Sequence, residues 1–143
     1  MTVAHAGLAR FLEAQAPIHE VVLEELAAGE KRTHWMWFIF PQLRALGRSN
    51  TALFYGIESA AEARAYWQHA ILGTRLKICV DTVLRVPPDR TAHDIFGTPD
   101  DLKFRSCLTL FAHVAPQEGC FGAALARFYG GQADARTLAL LGA

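Results

Sequence analysis

The sequence carries no excess charge of either sign, because 14 lysine and arginine residues balance 14 aspartate and glutamate residues. A neutral molecule has no general attraction to nucleic acid or to an anionic membrane. No apolar run approaches the roughly 18 residues that a membrane span needs, and the N-terminus lacks the basic and apolar regions of a secretory signal. We therefore expect a soluble, cytoplasmic protein that does not bind membranes.

Cysteine is scarce, and Cys79, Cys107 and Cys120 are the three occurrences. Their odd number and the absence of a CxxC spacing argue against a disulfide framework and against a zinc site. None of the six histidines lies three or four residues from another histidine or from a cysteine. We predict three reduced, buried thiols, no metal site and no cofactor.

The short motifs that identify common activities are also missing. There is no GxxxxGK[ST] loop, GxGxxG, HExxH, GxSxG or EF-hand loop. The activities that these motifs identify are therefore not indicated, but catalysis of another kind is not excluded.

What the sequence does contain is a regular succession of helix start and stop signals over one domain, residues 1–143. Hydrophobic residues make up 52% and charged residues 20%, a balance that excludes a disordered chain. Ser59 with Glu62 forms a capping-box pattern, and Thr98 and Asp134 precede further helical stretches. No alternating strand pattern with a hairpin signal appears. We predict an all-α fold, a compact bundle of about eight short helices with irregular orthogonal packing.

Two early segments have strong apolar patterns. Ile18, Val21, Val22 and Leu26 form the apolar stripe of one predicted helix. Residues 33–40 contain the run WMWFIF, which suits either a strand or a buried helix. We favour the helix, because the chain offers no partner strand.

Charge is distributed unevenly along the chain. Residues 31–80 carry seven cations and two carboxylates, a net charge of +5, and no carboxylate lies between Glu30 and Glu58. The densest aromatic run is in the same stretch. Cations at the mouth of an aromatic wall suit a planar anionic ligand, because they pair with its charge while tryptophan stacks on its ring. The alternative is that the aromatic residues are core and that Lys31 and Arg32 are solvated.

A second candidate segment begins the longest predicted helix. Lys103 and Ser106 would line the same cleft, and Asp101 facing His34 across it could orient the histidine as a general base. His34 and Asp101 are therefore the candidate catalytic residues. The alternative is that Asp100 and Asp101 only complement the helix dipole. The candidate ligand-binding residues are Lys31, Thr33, His34, Trp35, Trp37, Gln42, Lys103 and Ser106.

Gly73, followed by Arg75 and Lys77, raises a separate phosphate-site hypothesis. A glycine at a helix start lets backbone N–H groups approach an anion, and two cations follow closely. The alternative is an ordinary first helical turn in which both cationic side chains are solvated.

Several motifs together resemble a known family. The run KRTHWMWFIFPQ at residues 31–42, followed by LGRS, resembles the signature of the uncharacterised bacterial family catalogued as domain of unknown function 1810. Agreement continues in EARAY, LGTRL, IFGTPDDLKF and FYGG, so the resemblance covers nearly the whole chain. It implies a compact all-helical fold and no particular activity. The sequence departs from the family pattern at Trp67, Ala70 and Cys107, where Leu, Pro and Ser are usual.

Two functions are consistent with these patterns. The first is a ligand-binding domain, with or without catalysis, whose aromatic-basic cleft takes a planar anionic or nucleotide-like ligand. The alternative is a non-enzymatic protein–protein interaction module that uses the Trp-rich segment as a hot spot. Nucleic-acid binding is disfavoured, because a charge of +5 over fifty residues is modest and no recognition module appears. Exposure and shape distinguish the first two functions.

Overall fold

The computed structural model describes residues 7–143, so His5, where we expected the first helix to begin, lies outside the described residues. Within that range the all-α prediction is confirmed, with ten α-helices and one 3₁₀ turn instead of about eight helices. The helices are α1 (Ala9–Gln15), α2 (His19–Ala27), α3 (Met36–Ile39), α4 (Asn50–Phe54), α5 (Ala60–Gln68), α6 (Leu72–Leu84), α7 (Ala92–Phe96), α8 (Asp100–Val114), α9 (Gly119–Tyr129) and α10 (Ala135–Leu141), and the 3₁₀ turn is Arg44–Leu46.

Side-chain caps begin several of these helices where the sequence predicted them. Ser59 Oγ accepts a hydrogen bond from the Glu62 N–H at 3.2 Å, and Asp134 Oδ2 accepts from the Thr137 N–H at 2.9 Å. Thr98 does not cap α8 as we expected. Pro99 occupies the N-cap position after a cis Thr98–Pro99 peptide bond, and the Thr98 hydroxyl donates to Asp101 Oδ2 at 3.3 Å.

The long helix α8 is the centre of the packing and contacts α5, α7, α9 and α10. Its residues from Ser106 to Phe111 are all buried. A second layer forms where α6 packs against α2, α5 and α9. Gly73 permits the close approach of α5 and α6, because a Cβ at this position would lie 2.0 Å from the Trp67 carbonyl oxygen.

The Trp-rich segment forms a helix of only one turn, so the helix predicted over residues 33–40 is right in type but too long. After Pro41 the chain runs beside a later segment. Ile57 N–H donates to the Gln42 carbonyl and Arg44 N–H donates to the Ile57 carbonyl, both at 2.8 Å. These bonds fix Gln42 and the 3₁₀ turn relative to the start of α5.

Between residues 7 and 143, no helix is both long enough and apolar enough to cross a membrane. The three cysteines are buried and free, as predicted. Burial raises the pKa of Cys79 and of Cys120 to about 12 and raises that of Cys107 as well. Since the thiolate is the reactive form, burial lowers the reactivity of these thiols in the folded protein.

Candidate functional site

A buried carboxylate organises the loop that leads into the Trp-rich helix. Glu25, on α2, is 8% exposed. Its carboxylate accepts hydrogen bonds from the Arg32 N–H at 2.8 Å, the Thr33 N–H at 3.1 Å and the Thr33 hydroxyl at 2.7 Å. It also accepts from the Trp35 indole N–H at 2.9 Å. We call these four residues the Glu25 cluster.

The hydrogen bonds of the Glu25 cluster outweigh the effect of burial on the carboxylate. Burial alone would raise the pKa of Glu25, but the bonds from Arg32, Thr33 and Trp35 lower it to about 2. The carboxylate is therefore ionised at neutral pH and fully used by its own chain. It holds the loop in place.

Trp35 belongs to the core, which corrects the expectation that it lines a ligand surface. It is 2% exposed, and its indole N–H is bonded to Glu25. Phe40 packs beside it, with ring centroids 6.2 Å apart. Thr33 is also committed to the Glu25 cluster through its hydroxyl group, although its residue surface is exposed.

Lys31 and Lys103, which are distant in sequence, are linked by one carboxylate. Lys31 Nζ lies 3.0 Å from Asp100 Oδ2, and Lys103 Nζ lies 3.6 Å from Asp100 Oδ1. The Lys31 side chain is 8% exposed and approaches the Trp35 ring at 5.1 Å. Lys31 therefore connects the loop to the start of α8 and is not available to a ligand.

The structure does not bring His34 and Asp101 into contact. His34 is exposed, and no hydrogen bond or ion pair joins it to Asp101. The Asp101 carboxylate instead accepts from Thr98 and lies 3.7 Å from His93 Nδ1. The proposed His34–Asp101 base therefore has no geometric support.

Trp37 lies beside Lys103 at a small hollow between α3 and α8. Lys103 Nζ is 5.4 Å from the Trp37 ring centroid. The hollow has a volume of only about 10 Å³, which is room for about one water molecule. Gln42 and Tyr55 also line it. Neither the Trp37 indole N–H nor the Gln42 side-chain amide has a hydrogen-bond partner among the described residues.

A larger depression opens on the other side of Gln42 and Lys103. It has a volume of about 350 Å³ and continues into a space of about 320 Å³ along residues 46–49. Volumes of this size suit a small ligand. We call it the basic groove. Its lining residues are Gln42, Leu46, Arg48, Pro99, Leu102, Lys103, Ser106, Asp134 and Arg136.

The two arginines of the basic groove are exposed and have no partners within the described part of the chain. Neither the Arg48 nor the Arg136 side chain makes a hydrogen bond or ion pair with any residue from 7 to 143. Asp134 is the acid that lines the groove, and its carboxylate is occupied by Thr137. The Ser106 hydroxyl donates to the Leu102 carbonyl at 3.2 Å, so it offers a ligand only lone pairs.

The predicted site residues thus separate into two groups. Gln42, Lys103 and Ser106 come together in the basic groove, with Trp37 at the adjoining hollow. The remaining candidates, Lys31, Thr33, His34 and Trp35, do not line it.

The Gly73 segment is accounted for by packing and surface ion pairs. Gly73 is buried between helices, and Arg75 donates to Gln15 Oε1 at 3.4 Å. Lys77 pairs with Asp81 and Glu118, each at 3.2 Å. These contacts leave no free cation for a phosphate at this position. Within the described part of the chain, no three His, Cys, Asp or Glu side chains are arranged to hold a metal ion.

A family model described as "Protein of unknown function (DUF1810)" matches residues 5–141. The chain belongs to this family. It is also similar to a solved structure, the conserved hypothetical protein Rv1873 from Mycobacterium tuberculosis, with 54% identity and a TM-score of 0.93. That similarity covers 95% of this chain and 96% of the other. A comparison with curated proteins finds no match.

For this member of the DUF1810 family, sequence reasoning missed three charged residues that line the groove. Arg48 lies inside the stretch without carboxylates, and that signal could have identified it. Arg136 and Asp134 gave no such signal, because they reach the groove only through the packing of α10 on α8 and the 3₁₀ turn.

Proposed function

We propose that this domain binds a small anionic ligand in the basic groove. The observation that carries the proposal is that Arg48, Arg136 and Lys103 line one groove of ligand size, and that neither arginine has a side-chain partner between residues 7 and 143. Cationic side chains are ordinarily paired or dispersed over a surface, and a neutral chain has no need of such a cluster for solubility. An anion would supply the missing charge partners.

A planar ring in the ligand is less well supported than an anionic group. The hollow at Trp37 is too small for a ring, and Trp35 is buried. A ring bound at this site would stack on Trp37 only after Lys103 moved away from its present position 5.4 Å from the indole. We therefore define the ligand by its anionic group and treat stacking as a second feature that the experiment resolves.

The experiment is thermal unfolding with a panel of probes: sulfate, inorganic phosphate, acetate, ribose 5-phosphate, adenosine monophosphate and adenosine. A hundredfold excess over Kd stabilises the fold by about 2.7 kcal/mol, which raises Tm by about 5–10 °C in a chain of this size. We expect anionic probes to raise Tm and adenosine to leave it unchanged. A larger shift with adenosine monophosphate than with ribose 5-phosphate would support stacking.

The test variant is the double substitution Arg48→Gln/Arg136→Gln, and the control is the single substitution Arg64→Gln. Arg64 is exposed on α5 and does not line the groove, so its variant removes a charge elsewhere. The double variant should fold normally and lose the shift, while Arg64→Gln should keep it. An absence of any shift with the anions, or an equal shift in the double variant, would rule out this site.

The alternative function is a protein-interaction module that uses the Trp-rich segment as its hot spot. It has less support, because Trp35, one of the two tryptophans of that segment, is buried in the core. Trp37 is half-buried beside Lys103, so the patch it could offer is small. We place the domain in the cytoplasm as part of the proposal, and the support is that all three cysteines are free.

A further inference from the structure

We infer that the anionic group recognised by the basic groove is a dianion, and specifically a phosphate monoester. This inference rests on the proposed function. Three cations and one carboxylate line the groove, which gives it a net charge of +2. A phosphate monoester carries a charge of about −1.5 to −2 at pH 7, whereas a carboxylate or a phosphodiester carries a single charge.

The carboxylates near the groove do not neutralise its arginines. Asp134 Oδ2 accepts from the Thr137 N–H at 2.9 Å and from the Thr137 hydroxyl at 2.6 Å, so Asp134 serves as the cap of α10. Asp100 divides its charge between Lys31 at 3.0 Å and Lys103 at 3.6 Å. Lys103 is therefore only partly compensated, and the groove keeps a positive charge for the ligand.

The donors in the groove also fit a phosphate group better than a carboxylate. Arg48 and Arg136 each present a planar fork that can hold two oxygens, and Lys103 adds a single point charge. A phosphate monoester offers three peripheral oxygens, enough for three cations, while a carboxylate offers two. The Ser106 hydroxyl already donates to the Leu102 carbonyl, so the cationic side chains are the main donors. Recognition therefore depends on charge and on the number of acceptor oxygens.

The test compares methyl phosphate with dimethyl phosphate by isothermal titration calorimetry at pH 7.5. The two probes differ by one methyl group and one negative charge. We expect methyl phosphate to bind about tenfold more tightly or better, because one additional charge-assisted hydrogen bond contributes on that scale. Arg48→Gln/Arg136→Gln should abolish the preference, and Arg64→Gln should preserve it.

A pH series separates the charge of the ligand from its shape. The second pKa of a phosphate monoester is about 6, so methyl phosphate becomes a monoanion between pH 7.5 and pH 5. Its affinity should fall toward that of dimethyl phosphate, while sulfate, which stays dianionic, should keep its affinity. The charged groups facing the bound anion are Arg48, Lys103, Asp134 and Arg136, and no histidine lines the groove. Sulfate therefore also controls for any titration of the protein.

The outcomes distinguish a failure of the dianion inference from a failure of the anion-binding function. Equal binding of methyl phosphate, dimethyl phosphate and acetate, lost in the double variant, would overturn the dianion inference and leave the anion-binding function intact. Binding that is absent for every probe, or unchanged in the double variant, would overturn both. Circular dichroism of the double variant confirms that a loss of binding is not a loss of fold.

Discussion

The Glu25 cluster and the basic groove are both polar sites beside aromatic side chains, yet they are opposites. In the Glu25 cluster, one buried carboxylate accepts four hydrogen bonds from Arg32, Thr33 and Trp35. In the basic groove, Arg48 and Arg136 have no partner among the described residues. The carboxylate of the first site is paired within the protein, whereas the two arginines of the second are not.

The difference shows why composition alone did not locate the site. Cations and tryptophans are densest at residues 31–37, and that density pointed to the loop. The structure uses most of that loop to connect α2 to α3, because every buried polar group there needs a partner. The groove lies further along the chain, where the exposed side chains of Arg48 and Arg136 have no protein partner among the described residues. Satisfaction of hydrogen bonds, more than residue type, separates a structural polar cluster from a candidate binding site.

The largest expected effect comes from comparing the two neighbouring tryptophans. Trp35→Ala should lower the free energy of unfolding by about 3–5 kcal/mol, because it empties a buried indole site. Trp37→Ala should lower it by only about 1 kcal/mol, because the residue is half-buried. Urea unfolding followed by circular dichroism measures both. Equal losses in the two variants would mean that Trp37 is as much a part of the core as Trp35.

The second prediction compares the stability lost on substitution in the Glu25 cluster with that lost in the basic groove. Glu25→Ala should lower the free energy of unfolding by about 3 kcal/mol, because it leaves buried donors, including the Trp35 N–H, without an acceptor. Glu24→Ala on the exposed neighbour and Arg48→Ala in the groove should each change it by about 0.5 kcal/mol or less. A loss at Arg48 comparable to that at Glu25 would show that the groove arginine is structural.

The smallest effect is a pH dependence. The pKa of Glu25 is lowered from 4.5 to about 2 in the folded chain. Its ionised form therefore stabilises the protein fully above about pH 4.5, and this contribution is lost as pH falls toward about 2. Within that window the advantage of the wild type over Glu25→Gln should shrink by at most about 1.4 kcal/mol per pH unit.

Urea unfolding of the wild type and Glu25→Gln at pH 6, 4 and 3 measures this advantage, with Glu24→Gln as the control at each pH. A difference between wild type and Glu25→Gln that stays constant down to pH 3 would contradict the assignment of the low pKa to the carboxylate.

The sequence predicted the helices well where a local signal existed. Ser59 and Asp134 cap helices because their short polar side chains can bond the first free N–H groups, and that pattern is readable without a structure. The apolar stripe of α2 was less accurate. Val21, assigned to it, is 43% exposed, while Glu25 is buried. Glu25 stands three residues after Val22 on the buried face, so an acid within an apolar stripe was the overlooked signal.

The candidate site was only partly predictable. Gln42 and Lys103 were identified from sequence and do line the groove, although they are far apart along the chain. Their meeting with Arg136 depends on how α10 packs against α8 and the 3₁₀ turn, and no local pattern encodes that contact. The expected pairing of His34 with Asp101 failed because Asp101 is taken by its own neighbours, Thr98 and His93.

The buried thiols have a practical consequence. Cys79, Cys107 and Cys120 sit on α6, α8 and α9, the helices that share the core. An alkylating reagent can reach them only when those helices separate, so the labelling rate of each cysteine measures how often its helix opens. The three native cysteines thus report local opening of the central helices without any engineered label.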